Sequence, residues 1–175
     1  MLRQILIPCL LLGWSVAYGQ PAKQIFTATG KEVHDASLSP GAWTCVGGQP
    51  TGQMPPCSPG TKRIMVRDLS NRLVYQEVTG SAAPMLAGTN VTNVRGNFDQ
   101  NYYGQLSCTF EWTVPEMNGR WEGTCSVTGS PLQGIIINRA VGRGHGGKLE
   151  GLTLEFYEVN LGQPYAVFVA AVKDE

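Results

Sequence analysis

The sequence predicts an all-β protein, an antiparallel β-barrel of about eight strands stabilised by disulfides, and three observations carry that prediction. Beyond residue 20 no helical stripe of convincing length is present, whereas short apolar segments of period two recur with turn residues between them. The 175 residues include 22 glycines and 11 prolines, a composition that suits many short strands and many turns. Ser107–Val127 then forms a hairpin whose register is set twice over. With Pro115-Glu116-Met117-Asn118 as its loop, Trp112 lies opposite Trp121 and Cys108 opposite Cys125. That register puts Cys108, Phe110 and Trp112 on one face and Thr109, Glu111 and Thr113 on the other, as a half-buried strand requires.

In chain order, Met1–Gly19 reads as a secretory signal peptide: Arg3 in the n-region, an apolar run from Ile5 to Trp14, and small residues in Ala17-Tyr18-Gly19. The run is too short to predict a retained membrane span. Residues 20–175 are expected to form one all-β domain. Ile25–Thr29 is the first strand segment, and Gly30-Lys31 leads on to a second around Ala42–Val46. Lys62–Asp68 places Ile64 and Val66 on one face, Ser70-Asn71 turns the chain, and Arg72–Val78 alternates through Leu73 and Tyr75. Gly80 to Pro84 reads as a loop, Met85–Val94 is weakly patterned, and Asn97 to Asn101 is a turn cluster. After the central hairpin, Leu132–Val141 carries the β-branched run Ile135-Ile136-Ile137. Lys148–Val159 alternates Leu152, Leu154 and Phe156 against Thr153, Glu155 and Tyr157. Tyr165–Val172 is apolar on both faces and is expected to close the barrel. Gly123, Gly134 and Gly151 fall within strand patterns and predict bulges or bends.

Once the signal is removed, Cys45, Cys57, Cys108 and Cys125 remain. An even count in an exported chain predicts disulfides. The hairpin register favours Cys108–Cys125, which leaves Cys45–Cys57 to staple a Gly/Pro-rich loop with little apolar surface to bury. Spacing of the Cys-x-x-Cys type is absent, so no zinc site is expected. Loss of Arg3 leaves twelve Lys and Arg against thirteen Asp and Glu. Such a balance supplies no basic stripe for phosphates, and nucleic acid is not an expected partner. Secretion or a periplasmic location follows from the signal and the cysteines.

Gly119-Arg120-Trp121-Glu122-Gly123-Thr124, followed by Gly146-Gly147-Lys148-Leu149-Glu150-Gly151, resembles the allene oxide cyclase and dirigent-like barrel group over about Gly104–Val159. The resemblance implies an eight-stranded antiparallel barrel with an apolar interior and a homo-oligomer, often a trimer. It also implies an enzyme that guides cyclisation or coupling of an apolar substrate. No catalytic residue carries across, because no reactive motif aligns.

Other motifs reduce to structure. Gly142, Gly144 and Gly147 fit G-x-G-x-x-G, but a strand pattern follows where a dinucleotide site needs a helix. Arg143, His145 and Lys148, with Arg139 nearby, remain a candidate anion loop whose more usual form is a solvated hairpin turn. His34 and His145 lack a nucleophile context, so no Ser-His-Asp arrangement is predicted. Glu111 and Glu122 face one another on the outward side, with Arg120 diagonal to Glu111 as a cross-strand ion pair. Asn97, Asp99 and Asn101 copy only the opening of a calcium loop. Asn90-Val91-Thr92 is a glycosylation sequon. Trp43, Phe110, Trp112, Trp121, Phe156 and Phe168 are candidate core residues that in a wide barrel would line an apolar ligand pocket. The expected function is binding of a small hydrophobic ligand or a structural or interaction role, non-catalytic and without a cofactor or metal. A pocket with Glu or Tyr at its floor would favour the cyclase-like enzyme instead.

Overall fold

The computed structural model of the chain describes residues 23–53 and 55–174. The predicted signal peptide, residues 1–19, lies outside them. Eight antiparallel strands run β1 (Gln24–Val46), β2 (Arg63–Gly80), β3 (Gly88–Asp99), β4 (Gly104–Val114), β5 (Gly119–Ser130), β6 (Ile135–His145), β7 (Leu152–Leu161) and β8 (Ala166–Asp174), with a short helix α1 (Ala83–Leu86) before β3. Each strand pairs with the next in sequence, and β8 pairs back onto β1, so the sheet closes into a ring. Among the described residues no helix is long and apolar enough to cross a membrane.

The β4–β5 hairpin has the predicted register: Trp112 pairs with Trp121, Cys108 with Cys125 and Val114 with Gly119. Its loop is a 3-10 turn over Pro115–Met117, closed by Asn118 at φ 50° in the left-handed region, which Asn tolerates better than most residues. Burial along β4 alternates without a break, Leu106, Cys108, Phe110, Trp112 and Val114 facing inward. Both cysteine pairs are bonded, with Cα atoms 5.7 Å apart for Cys45–Cys57 and 5.0 Å apart for Cys108–Cys125.

Three expectations are corrected. The two strand segments expected before residue 46 are one strand of 23 residues, whose register against β2 shifts between Thr29 and Lys31, His34 and Ala36, and Ser37 and Ser39. Those bulges let Ser39-Pro40-Gly41 stay in a strand, since the sheet bends there instead of turning back. Ser70-Asn71 is likewise no turn; β2 runs through it, and the irregularity lies between Val66 and Leu69, where Asp68 has φ 55°. Of the three glycines predicted to be bulges, only Gly123 is inside a strand. A Cβ there would lie 2.0 Å from the Val141 carbonyl oxygen, so the close approach of β6 demands glycine. Gly134 and Gly151 sit between strands at φ 67° and 75°.

The interior holds two packed clusters of unequal size. Tyr75, Trp112, Phe156 and Phe168 form an aromatic layer, with Tyr75 stacked on Trp112 at 4.3 Å and Phe156 stacked on Phe168 at 5.7 Å. Beyond it, Met85 and Leu86 of α1 pack with Val114, Trp121 and Leu149. The Trp121 indole N–H donates to the Met85 carbonyl oxygen at 3.1 Å, satisfying a donor that burial would otherwise strand. A second cluster of Cys57, Ile64, Val66, Phe98 and Leu106 lines the other end. Outside, Ile137, Val159 and Val167 are cross-strand neighbours on β6, β7 and β8 and all are exposed. The last strand is buried on its inner face, and its outer face is apolar, with Val167 exposed, Val169 half-buried and Ala171 buried.

Candidate functional site

Between the aromatic layer and the second cluster lies a cavity of about 990 Å³, at the upper end of the size of small-molecule sites. Its walls are mainly apolar: Leu69 and Leu73 on β2, Val94 and Phe98 on β3, Leu106 on β4, Val127 on β5 and Ile136 on β6. The Cys108–Cys125 disulfide forms part of one wall. Pro50, Gly52, Gln53 and Pro56 of the Cys45–Cys57 loop also line it. Tyr102 ties that loop down, its hydroxyl accepting from the Cys57 N–H at 3.1 Å. The staple predicted for a loop unable to bury apolar surface thus holds part of the cavity's boundary.

The floor is polar and drawn from opposite sides of the ring. Glu32 on β1 and Tyr75 on β2 are direct cross-strand partners, as are Asn138 on β6 and Glu158 on β7. The Tyr75 hydroxyl donates to Glu32 Oε2 at 2.5 Å and stands 3.4 Å from Glu158 Oε2. A hydroxyl has one proton to give, so the second contact is made when the Glu158 carboxyl donates to Tyr75. Asn138 Nδ2 also donates to Glu158 Oε2, at 3.4 Å. Glu32, Tyr75, Asn90 and Asn138 face the cavity, while Glu158, 1% exposed, lies behind them.

Burial pushes the Glu158 carboxyl well above the ordinary carboxylate range, and the negative charge of Glu32 pushes it further. Burial also raises Glu32, opposed by the hydrogen bond that Tyr75 donates to it. Tyr75 is raised well above its usual value by burial and by the two carboxylates. The proton therefore resides on Glu158 before Glu32, in the manner of a carboxyl pair whose environments separate their affinities. Three buried acceptors on this layer have no partner: Asn90 Oδ1, Asn138 Oδ1 and Glu158 Oε1.

A raised carboxyl has a definite consequence for stability. The unfolded chain loses the Glu158 proton first, so stability is full below the ordinary carboxylate range and falls as pH rises through the raised native value. Glu158→Gln keeps the shape and cannot ionise. The variant is expected to match the parent near about pH 4 and to exceed it by about 1–3 kcal/mol at about pH 8. Urea unfolding across pH reads this; a parent curve that rises with pH to the same degree as the variant's would refute it.

Among the aromatic candidates, Trp43 lines the cavity, whereas Phe110, Trp112, Trp121, Phe156 and Phe168 belong to the packed core. Trp43 keeps its indole N–H on the Pro40 carbonyl oxygen at 2.8 Å. The candidate anion loop is occupied by the chain itself: the Gly146 N–H donates to Glu150 Oε2 at 2.5 Å. His145 Nε2 stands 3.8 Å from Glu122, Lys148 is exposed, and Arg143 is exposed at the outer face of β6. Arg139 lies over the Tyr157 ring at 5.8 Å. Arg120 bridges the outward carboxylates, 2.5 Å from Glu122 and 4.0 Å from Glu111.

His34 faces the cavity and pairs with Asn71 Oδ1 at 3.2 Å, while its neighbour Asp35 pairs outward with Arg72 at 2.5 Å. Asp99 Oδ1 accepts the Asn101 and Tyr103 N–H groups of its own turn, and among the described residues no His, Cys, Asp and Glu group could hold a metal. The sequon asparagine Asn90 is 6% exposed and faces inward, so a glycan cannot be carried there in the folded ring. Sequence reasoning missed Glu32, Tyr75, Asn90, Asn138 and Glu158 as a group. One signal was present for Glu158: it continues the inward phase of Leu154 and Phe156.

No protein-family model matches the chain, and it has no significant match among curated proteins or solved structures.

Proposed function

We propose that the protein is exported and binds a small, largely apolar molecule inside its ring of strands. One observation carries this reading: a cavity of about 990 Å³ with apolar walls, left open where the aromatic layer stops. A mainly apolar wall with a carboxylate, a hydroxyl and two amides grouped at its floor suits a ligand with a hydrocarbon body and a hydrogen-bonding head. Two disulfides support a location outside the reducing cytoplasm.

Val127→Trp tests the binding reading. Val127 lines the cavity beside Leu106, at the margin of the second cluster, and an indole there fills space the ligand would take. A neutral apolar dye such as Nile red is expected to bind the parent saturably and the variant about tenfold or more weakly, which is roughly 1.4 kcal/mol. Equal binding by both proteins, with the variant folded by circular dichroism, would place the dye elsewhere. Native mass spectrometry of protein from its own compartment then identifies what occupies the cavity.

The cyclase-like reading is favoured by a specific observation, the carboxylate of Glu32 and the hydroxyl of Tyr75 at the cavity floor. There Glu32 would accept or return a proton on a bound apolar substrate while the walls fix its conformation. Turnover of an apolar substrate that Glu32→Gln abolishes would establish this version over simple binding.

A further inference from the structure

The floor of the cavity discriminates among head groups by its charge and by its surplus of acceptors. Among the described residues no lysine or arginine lines the cavity; its titratable groups are Glu32, His34, Tyr75 and Tyr102, with Glu158 behind. The one hydroxyl proton of Tyr75 is committed to Glu32, and His34 is engaged with Asn71. Asn90 is nine-tenths buried, lines the cavity and has an amide oxygen with no partner. Such an orphan acceptor costs free energy until a donor reaches it. A carboxylate or phosphate head would meet Glu32 and find no compensating cation. An alcohol would satisfy one acceptor and leave the carboxylate charge unanswered.

Resting on the binding reading above, we infer that the cavity selects a small apolar amine, its ammonium seated on the Glu32 carboxylate beside the Asn90 amide oxygen and its hydrocarbon body against Leu69, Val94 and Val127. An ammonium brings several donors and the missing positive charge to one place. Among groups packed near Glu32, His34 and Tyr75 come from β1 and β2, Asn90 from β3, Asn138 from β6 and Glu158 from β7. None of these offers a permanent cation.

Binding is linked to protonation with a fixed sign. Burial raises Glu32, so at low pH its carboxyl holds a proton that the ammonium must displace. Amine affinity therefore increases as pH rises through the raised Glu32 value, then levels off while the alkylammonium is still charged. Neutral ligands have no such dependence on Glu32.

Isothermal titration of the disulfide-intact protein with n-octylamine, 1-octanol and octanoate, from about pH 4 to about pH 9, tests this. The amine is expected to bind about ten- to hundredfold tighter than the alcohol at the upper end, the range that a charge-assisted hydrogen bond supports. Its advantage shrinks toward the lower end, and octanoate is weakest. Glu32→Gln brings the amine down to the level of the alcohol. An alcohol that binds as tightly as the amine at every pH, or a tightest-binding octanoate, overturns the inference and leaves the cavity's binding role standing. Binding of none of the three overturns both. An amine preference that survives in Glu32→Gln, with the variant still taking up octanol, also overturns the seat on Glu32.

Discussion

Trp112→Ala is expected to destabilise the protein by about 3–5 kcal/mol, the largest effect of any single substitution considered. Trp112 is 1% exposed and sits at the centre of the aromatic layer, stacked on Tyr75 at 4.3 Å and edge-on to Phe156 at 5.2 Å. Truncation removes a large buried ring and leaves a void adjoining the cavity, next to neighbours fixed by their own strands. The residues around it cannot collapse into that space, because a closed ring has no free edge to move inward. One feature of the indole separates shape from polarity. Its N–H is buried with no partner, whereas the Trp121 N–H reaches the Met85 carbonyl oxygen. Trp112→Phe therefore loses part of the packing and also removes an orphaned donor worth about 1–3 kcal/mol. The two terms oppose, and that variant is expected to lie within about 1 kcal/mol of the parent. Equilibrium urea unfolding of the three proteins measures both. A cost below about 1 kcal/mol for Trp112→Ala would mean that this ring is not in the core.

The central hairpin was legible because nothing interrupts it. From Leu106 to Val114 every second residue is buried, and its inward pairs, indole on indole and thiol on thiol, are chemically distinct enough to fix one register. The first 23-residue strand was not legible for the opposite reason. Two of the three register shifts, between His34 and Ala36 and between Ser37 and Ser39, add a residue to β1 and reset its period of two, and Ser39-Pro40-Gly41 has the composition of a turn while lying in a strand. Glu32 follows Ala28 and Gly30 at every second residue, because the first shift adds its extra residue to β2, but Gly30-Lys31 reads as a break between segments and ends the pattern before it. Tyr75 could be placed inward with Leu73, and Glu158 with Phe156, from alternation alone. That the three meet is a property of closure: residues 32, 75 and 158 come from β1, β2 and β7, and only a completed ring carries β7 across from β2. The filled or open state of the interior was illegible for a related reason. It depends on where the large side chains fall along the axis, and here Trp112, Phe156 and Phe168 all fall at one level.

Removing the bridge between β4 and β5 is expected to cost about 2–5 kcal/mol, and Cys108→Ala together with Cys125→Ala is the cleaner way to measure it than either change alone. The double variant leaves no free thiol facing the cavity to oxidise or mispair. The bridge spans 17 residues, and closing a loop of that length removes entropy from the unfolded chain equivalent to about 3 kcal/mol in the chain-entropy model. The Cys45–Cys57 bridge spans 12 residues, which gives nearly the same figure, so chain entropy alone cannot rank the two. Native context does. Around Cys108 the ladder continues on both sides, from Gly104 opposite Gly129 to Val114 opposite Gly119, and the hairpin keeps its register without the sulfurs. Around Cys57 no continuous ladder runs; the isolated Pro50–Cys57 bridge, a few backbone hydrogen bonds, the Thr51 and Ser58 hydroxyls and Tyr102 hold the described residues of the loop. Losing Cys108–Cys125 should therefore lower global stability while leaving the hairpin amides protected from exchange below the unfolding transition. Losing Cys45–Cys57 should raise exchange in residues 47–57 selectively, at a smaller global cost, because part of the loop's ordering is forfeited in the native state itself. Hydrogen exchange of the two double variants distinguishes these outcomes. Selective loss of protection in β4 and β5, with the ring otherwise intact, would show that the sulfurs hold those strands in place of the ladder.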